Sequence, residues 1–260
     1  ASLVVNAHVT IDQPDFNLDG SGSSSNVLTI GDNGYLDLNL GAGGDTSLSG
    51  TVLIDGGVLD IDTPAGFFSL AANRQILVGG TNPSQILGPG EVFTVSGEIK
   101  VEAGATLDVD PDFGTVFSGL SQVSIAANGE LDMGGVGVSY NSGDSTFSGE
   151  GVFRPGKALY NADTVFNIAT IDLDDGTQTL ASGADLTINA AAIDTGAATD
   201  GFDGLMSISD ASRLTVNISG DGSWDFEGTM NYVGDSVFST FLAGSMIDLV
   251  QPRNRRHDWP

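Results

Sequence analysis

Apolar and polar residues alternate with a period of two along most of the chain, and glycine interrupts the alternation at short intervals. Residues 99–109, Ile-Lys-Val-Glu-Ala-Gly-Ala-Thr-Leu-Asp-Val, carry the phrase in full. Ile99 and Val101 flank Lys100, Gly104 marks a turn, and Leu107 and Val109 flank Asp108. Alternation on both sides of a glycine predicts strand, turn, strand. The phrase recurs as Leu28-Thr-Ile30, Gly34, Leu36-Asp-Leu38; as Val52-Leu-Ile54, Gly57, Leu59-Asp-Ile61; and as Val123-Ser-Ile125, Gly129, Leu131-Asp-Met133. Looser copies contain Leu159, Leu186 and Leu214, and the phrase restarts at Ile247-Asp-Leu249.

The anchor leucines 36, 59, 107, 131, 159, 186 and 214 are separated by 23, 48, 24, 28, 27 and 28 residues, and 48 is twice 24. A period in the twenties with short strands and glycine corners predicts a solenoid. A second phrase, Leu48-Ser-Gly50, Val95-Ser-Gly97, Phe117-Ser-Gly119 and Phe147-Ser-Gly149, reads as another corner of the same coil. About three strands per coil point to an all-β parallel β-helix of about nine or ten coils with a period of 23–28 residues. The alternative is a set of β-sandwich repeats, which the leucine spacing and the scarcity of aromatics disfavour. Residues 1–250 read as a single solenoid domain, and 251–260 as a tail or linker. Stretches 64–89, 141–157 and 190–202 lack the phrase and read as loops or lateral excursions. The six anchors Leu36, Leu59, Leu107, Leu131, Leu186 and Leu214 are expected to be buried in one column.

Charge narrows the partners. The 260 residues hold 34 acids and 8 bases, a net charge of −26, and three of the bases lie in the last ten residues. Such a surface repels phosphate backbones and anionic lipid, so neither nucleic acid nor a membrane surface is an expected partner. No apolar run reaches the ~20 residues of a spanning helix. The absence of cysteine removes disulfides, thiolate nucleophiles and Cys-ligated metals. The chain opens at Ala1-Ser2 without Met, which reads as a processed secreted form or a piece of something longer.

Candidate chemistry is sparse. Asp108, Asp110 and Asp112, and then Asp172, Asp174 and Asp175, place oxygen ligands close together and are weak calcium candidates. Calcium is the one cofactor the residues suggest. A chain this acidic also produces such clusters as plain solvated faces. Arg154 and Lys157 could serve an acidic-polysaccharide lyase, yet Pro155 and Gly156 between them read as a turn. Trp224, Phe226 and Tyr232 could make an aromatic strip for sugar rings. No nucleophile elbow, zinc-protease motif or phosphate loop is present, so no catalytic residue is assigned and a non-enzymatic role is favoured.

Gly-Val-Leu-Asp-Ile (57–61), Gly-Ala-Thr-Leu-Asp-Val (104–109) and Gly-Glu-Leu-Asp-Met (129–133) resemble the repeats of bacterial autotransporter passenger domains and related surface β-helix adhesins. The resemblance covers most of 28–216. It implies a structural or adhesive module of a bacterial cell-surface or extracellular protein, with glycans or a host or surface protein as partners. End-to-end or neighbouring-domain packing is a further expectation, because a terminal coil leaves strand edges open. The alternative function is a carbohydrate-active β-helix enzyme, a polysaccharide hydrolase or lyase.

Overall fold

The computed structural model describes residues 2–249 apart from 14–15, 19–26, 41–44, 49, 63–66, 89–91, 110–113, 135–136, 174–176, 195–204, 209–212, 219–223, 227–228, 233–236 and 243–246. Beyond 191, side chains are described only for 213–217. The described residues form thirty strands and no helix. Each strand of the repeating phrase stacks in parallel on its equivalent in the next coil. The first face runs Ser2–Val5, Val27–Ile30, Thr51–Asp55, Gln75–Gly79, Glu98–Val101, Gln122–Ile125. The second runs His8–Gln13, Tyr35–Leu40, Val58–Asp62, Ser84–Leu87, Thr106–Val109, Glu130–Asp132. The third is a separate ten-stranded sheet that passes from Phe16–Leu18 to Thr229–Tyr232. All pairings are parallel, which makes the fold a β-solenoid rather than a sandwich of antiparallel sheets.

The six anchor leucines are all buried, at 0–1 % exposure, but they do not form one column. Leu36 stacks on Leu59 and then on Ile86. The column continues from Ile86 to Val109, while Leu107 stacks on Ser84, so the Leu-Asp phrase has slipped by two residues against the stacking between 59 and 107. Leu107 then stacks on Leu131. Leu186 and Leu214 belong to the first face, where Phe166 leads to Ile188 and Val216. Leu159 points outward from the third-face strand Ala158–Tyr160. Leucine spacing therefore does not count coils, because each face keeps its own inward positions.

Two of the stretches expected to be irregular are built from strands. Residues 64–89 hold Phe67–Leu70, Gln75–Gly79 and Ser84–Leu87. In 141–157, the nine-residue strand Thr146–Arg154 runs from the first face onto the second without a turn. Thr164–Asp172 repeats this on the next coil. In 190–202, Ala192–Asp194 is a strand, and 195–202 lie outside the described residues. Three copies of the Ser-Gly phrase do mark one corner, the passage from third to first face after Leu48, Val95 and Phe117. The fourth, Phe147-Ser-Gly149, lies inside Thr146–Arg154.

The interior is more aromatic than the composition suggested. Phe117, Tyr140 and Tyr160 stack face to face along the third face, at centroid distances of 5.3 and 4.8 Å. Phe147 and Phe166 meet this stack edge-on. The two tyrosines differ in their hydroxyls. Tyr160 donates to Gln178 Oε1 at 2.8 Å, and Gln178 Nε2 donates to the Gly156 carbonyl at 2.6 Å. The buried Tyr140 hydroxyl has no partner among the described residues. An unsatisfied buried hydroxyl costs about 1–3 kcal/mol, and deleting it restores an apolar contact. Tyr140→Phe is expected to stabilise the fold by about 1 kcal/mol in urea unfolding. Tyr160→Phe strands the amide of Gln178 and is expected to destabilise it by about 1–3 kcal/mol.

Candidate functional site

The outward rows of the second face carry the carboxylates. Because side chains alternate, the residue after each inward anchor points to solvent, and parallel stacking lines these residues up. Thr10, Asp37 and Asp60 are register partners on successive coils. Asp60 is followed by Leu87, and the neighbouring outward column, Tyr35, Val58, Gln85, Asp108, Asp132 and Arg154, carries the acidic row from there on. Asp172 is the partner of Asp194, and Asp225 of Asp248. Adjacent carboxylates about 4.8 Å apart repel by roughly 1 kcal/mol in a water-like dielectric.

Near the first coils this row gathers polar partners. Thr10 Oγ1 donates to Asp37 Oδ2 at 3.0 Å, and His8 Nε2 lies 3.8 Å from the same oxygen. His8 stacks on Tyr35 at 4.7 Å, and the Tyr35 hydroxyl donates to Asp60 Oδ2. Asp37 Oδ1 is buried without a partner. The hydrogen bond to Asp60, with burial and the charges of Asp60, Asp37 and Asp62, pushes the Tyr35 phenol from 10.0 up to about 12. Burial, then Asp60 and Asp37, raise the Asp62 carboxyl above its ordinary value.

These shifts set the direction of two pH effects. A group whose pKa rises on folding favours the fold below its unfolded pKa and stops doing so as pH climbs through the folded value. For Tyr35 that support is complete below pH 10 and disappears as pH passes about 12. For Asp62 it is complete only at acid pH and absent at neutrality. Asp62→Asn is therefore expected to raise the melting temperature at pH 7 and to leave it unchanged near pH 3. A loss of melting temperature at pH 7 would contradict this.

Arg154 stands in the acidic row as its one cation among the described residues. Its guanidinium reaches Asp172 Oδ2 through Nε at 2.7 Å, Asp132 Oδ2 through Nη1 at 3.8 Å, and Glu130 Oε1. The three carboxylates come from the coils before and after its own. Arg154 thus clamps three coils, a role the turn reading of Arg154 and Lys157 missed; Lys157 is exposed and outside this group. The usable signal was that Arg154 falls 22 residues after Asp132, one residue short of the shortest leucine spacing.

The calcium candidates separate. Asp172 is committed to Arg154. Asp108 accepts from Gln85 Nε2 at 3.3 Å. Asp110, Asp112, Asp174 and Asp175 lie outside the described residues. No group of three or more acids or histidines placed to hold a metal occurs among the described residues. The side chains of Trp224, Phe226 and Tyr232 also lie outside the description.

A groove lies at the corner between the third and first faces. Its origin is corner length. Residues 71–74 and 118–121 make four-residue corners, whereas 96–97 between them makes a two-residue corner and is recessed. Gly97 is required there, since a Cβ would lie 2.4 Å from the Arg74 carbonyl oxygen and 2.6 Å from that of Ala71. Asn73, at φ 61°, closes the 71–74 turn, and Arg74 N donates to the Ala71 carbonyl at 3.1 Å. The groove encloses about 380 Å³, and Thr51, Gln75, Glu98 and Gln122 along it are register partners on four successive coils. Gln75 Nε2 donates to Glu98 Oε2 at 2.8 Å, and Ser124 donates to Glu98 Oε1 at 3.3 Å.

No family model, curated protein or solved structure matches this chain. What the molecule does has to be read from its own ladders, clamp and groove.

Proposed function

We propose that this chain is a structural or adhesive module of a bacterial cell-surface or extracellular protein. The observation that carries the reading is the Arg154 clamp, in which the row's cation is bound by carboxylates of neighbouring coils. Its charge serves to hold the stack together, as befits a stalk. The resemblance of the 57–61, 104–109 and 129–133 repeats to passenger domains supports a surface location. So does the net charge of −26, whose self-repulsion a saline exterior screens. Leu3, Val4 and Val9, exposed on the first coil, support packing against a neighbouring domain or copy.

The experiment is a glycan and surface-protein screen scored for both binding and turnover, with protease shaving of intact source cells. Retention without turnover, and removal by shaving, are the expected results. Turnover of a bound glycan would instead favour a carbohydrate-active enzyme. One arrangement supports that second reading: Asp37 and Asp60 are register partners. Retaining glycosidases hold their two carboxyl groups about 5–5.5 Å apart, close to the spacing of adjacent strands. Turnover abolished by Asp60→Asn would establish it.

A further inference from the structure

We propose that the groove beside Arg74 binds an extended glycan bearing carboxylate groups, lying along the solenoid axis with one carboxylate on the Arg74 guanidinium. This deepens the adhesive reading and rests on it. The first observation is the state of Arg74. In a chain with 34 acids and 8 bases, it forms no ion pair with any described residue, whereas Arg154 meets three carboxylates. Glu98, the acid that lines the groove, is not among its ion-pair partners and is instead held by Gln75 at one oxygen and Ser124 at the other. An Arg fork without a carboxylate partner among the described residues suits an incoming carboxylate, which it can bind through two parallel N–H bonds.

The second observation is the composition of the floor. Thr51 and Gln122 offer a hydroxyl and an amide, and Gln75, whose Nε2 is held by Glu98, its amide oxygen, on coils stacked about 4.8 Å apart. That repeat is close to the length of one β-1,4-linked sugar, so successive sugars meet successive coils. Leu120 stands on the far rim at 68 % exposure and offers an apolar surface to the C–H face of a ring. A volume of about 380 Å³ is within the range of small-ligand sites.

A peptide fits less well. Extended peptides bind sheets by pairing with a free strand edge. The groove strand Gln75–Gly79 is paired on both sides, with Thr51–Asp55 and Glu98–Val101. Nor does bulk attraction explain anion capture, since a protein at −26 repels polyanions at a distance. Binding of an acidic glycan must be local.

The test is calorimetric titration of the whole chain with a β-1,4-linked glucuronate hexasaccharide, its neutral glucose counterpart and a polyglutamate peptide. The uronate is expected to bind, the neutral sugar at least tenfold more weakly, and the peptide not at all. Arg74→Ala is expected to weaken uronate binding about 10–100-fold without changing the melting temperature. Arg74→Lys should recover only part, because it returns charge without the fork. Leu120→Ser should weaken both sugars by a similar, smaller factor. Equal affinity for neutral and acidic sugars, binding of the peptide, an unchanged Arg74→Ala variant or no binding of the uronate would each overturn the assignment. A surface-displayed protein that holds glycans independently of Arg74 would leave the adhesive reading standing and remove this site from it.

Discussion

Gly149→Ala is expected to cost about 3–4 kcal/mol in urea unfolding, far more than a methyl on an unobstructed glycine turn. Gly149 sits where Thr146–Arg154 passes from the first face to the second without a turn, at φ 144°. It is the register partner of Ile125 on one side and Ile168 on the other, next to a bulge before Val152. A Cβ at 149 would lie 1.9 Å from the Ile125 carbonyl oxygen and 2.7 Å from its carbon. Those atoms are backbone held in the ladder, so neither can swing aside. Relief requires separating two coils through the aromatic layer of Phe147, Phe153 and Phe166. Gly104, at φ 74° with nothing within 4 Å of its would-be Cβ, is the control. Gly104→Ala meets only the conformational penalty, about 1–2 kcal/mol. Equal losses at the two positions would contradict the packing described.

Arg154→Met should destabilise the fold by about 2 kcal/mol at pH 7 and low salt. The figure lies between that of an exposed pair and a buried one, because Arg154 is 31 % exposed and Asp172 is 13 % exposed. The loss is larger than the hydrogen bonds alone because Glu130, Asp132 and Asp172 are left facing one another. Three accompanying results identify the cause. Molar NaCl should recover part of the stability by screening. Acidification that protonates the carboxylates should shrink the gap from wild type. Asp172→Asn should be less harmful in the Arg154→Met background than in the wild type, a coupling that a double-mutant cycle reads directly. Losses that simply add would reduce Arg154 to a packing residue.

Much of this architecture is legible in the alternation, because an inward residue must be apolar and its neighbour polar on every face. The strands around 52–61, 99–109 and 123–133 follow that rule and stand where the phrase places them. Legibility fails where a polar residue takes an inward position and the fold satisfies it locally. Ser84 is fully buried, accepting from Gly56 N at 3.1 Å and donating to the Ile54 carbonyl at 3.4 Å. That polar residue hides the strand Ser84–Leu87, and with it the slip of the Leu-Asp phrase against the stacking. Gln178 does the same on the third face, between Tyr160 and Gly156. The clamp was hidden for another reason. Its partners lie 18 to 24 residues from Arg154, and only the stacking register brings them together. The groove follows from a two-residue corner set between four-residue ones, a difference that means nothing until the faces are assigned.

The acidic row, the clamp and the groove all depend on one register, and a chain without cysteine allows it to be measured cleanly. Paired nitroxide labels on introduced cysteines report it through spin–spin broadening. Lys100 with Ser124, and Gln85 with Asp108, are register partners on adjacent coils and should broaden strongly. Leu87 with Asp108, two residues out of step, should broaden less than Gln85 with Asp108. Narrow, uncoupled spectra from the register partners, or stronger coupling from Leu87 with Asp108, would contradict the stacking on which the account stands.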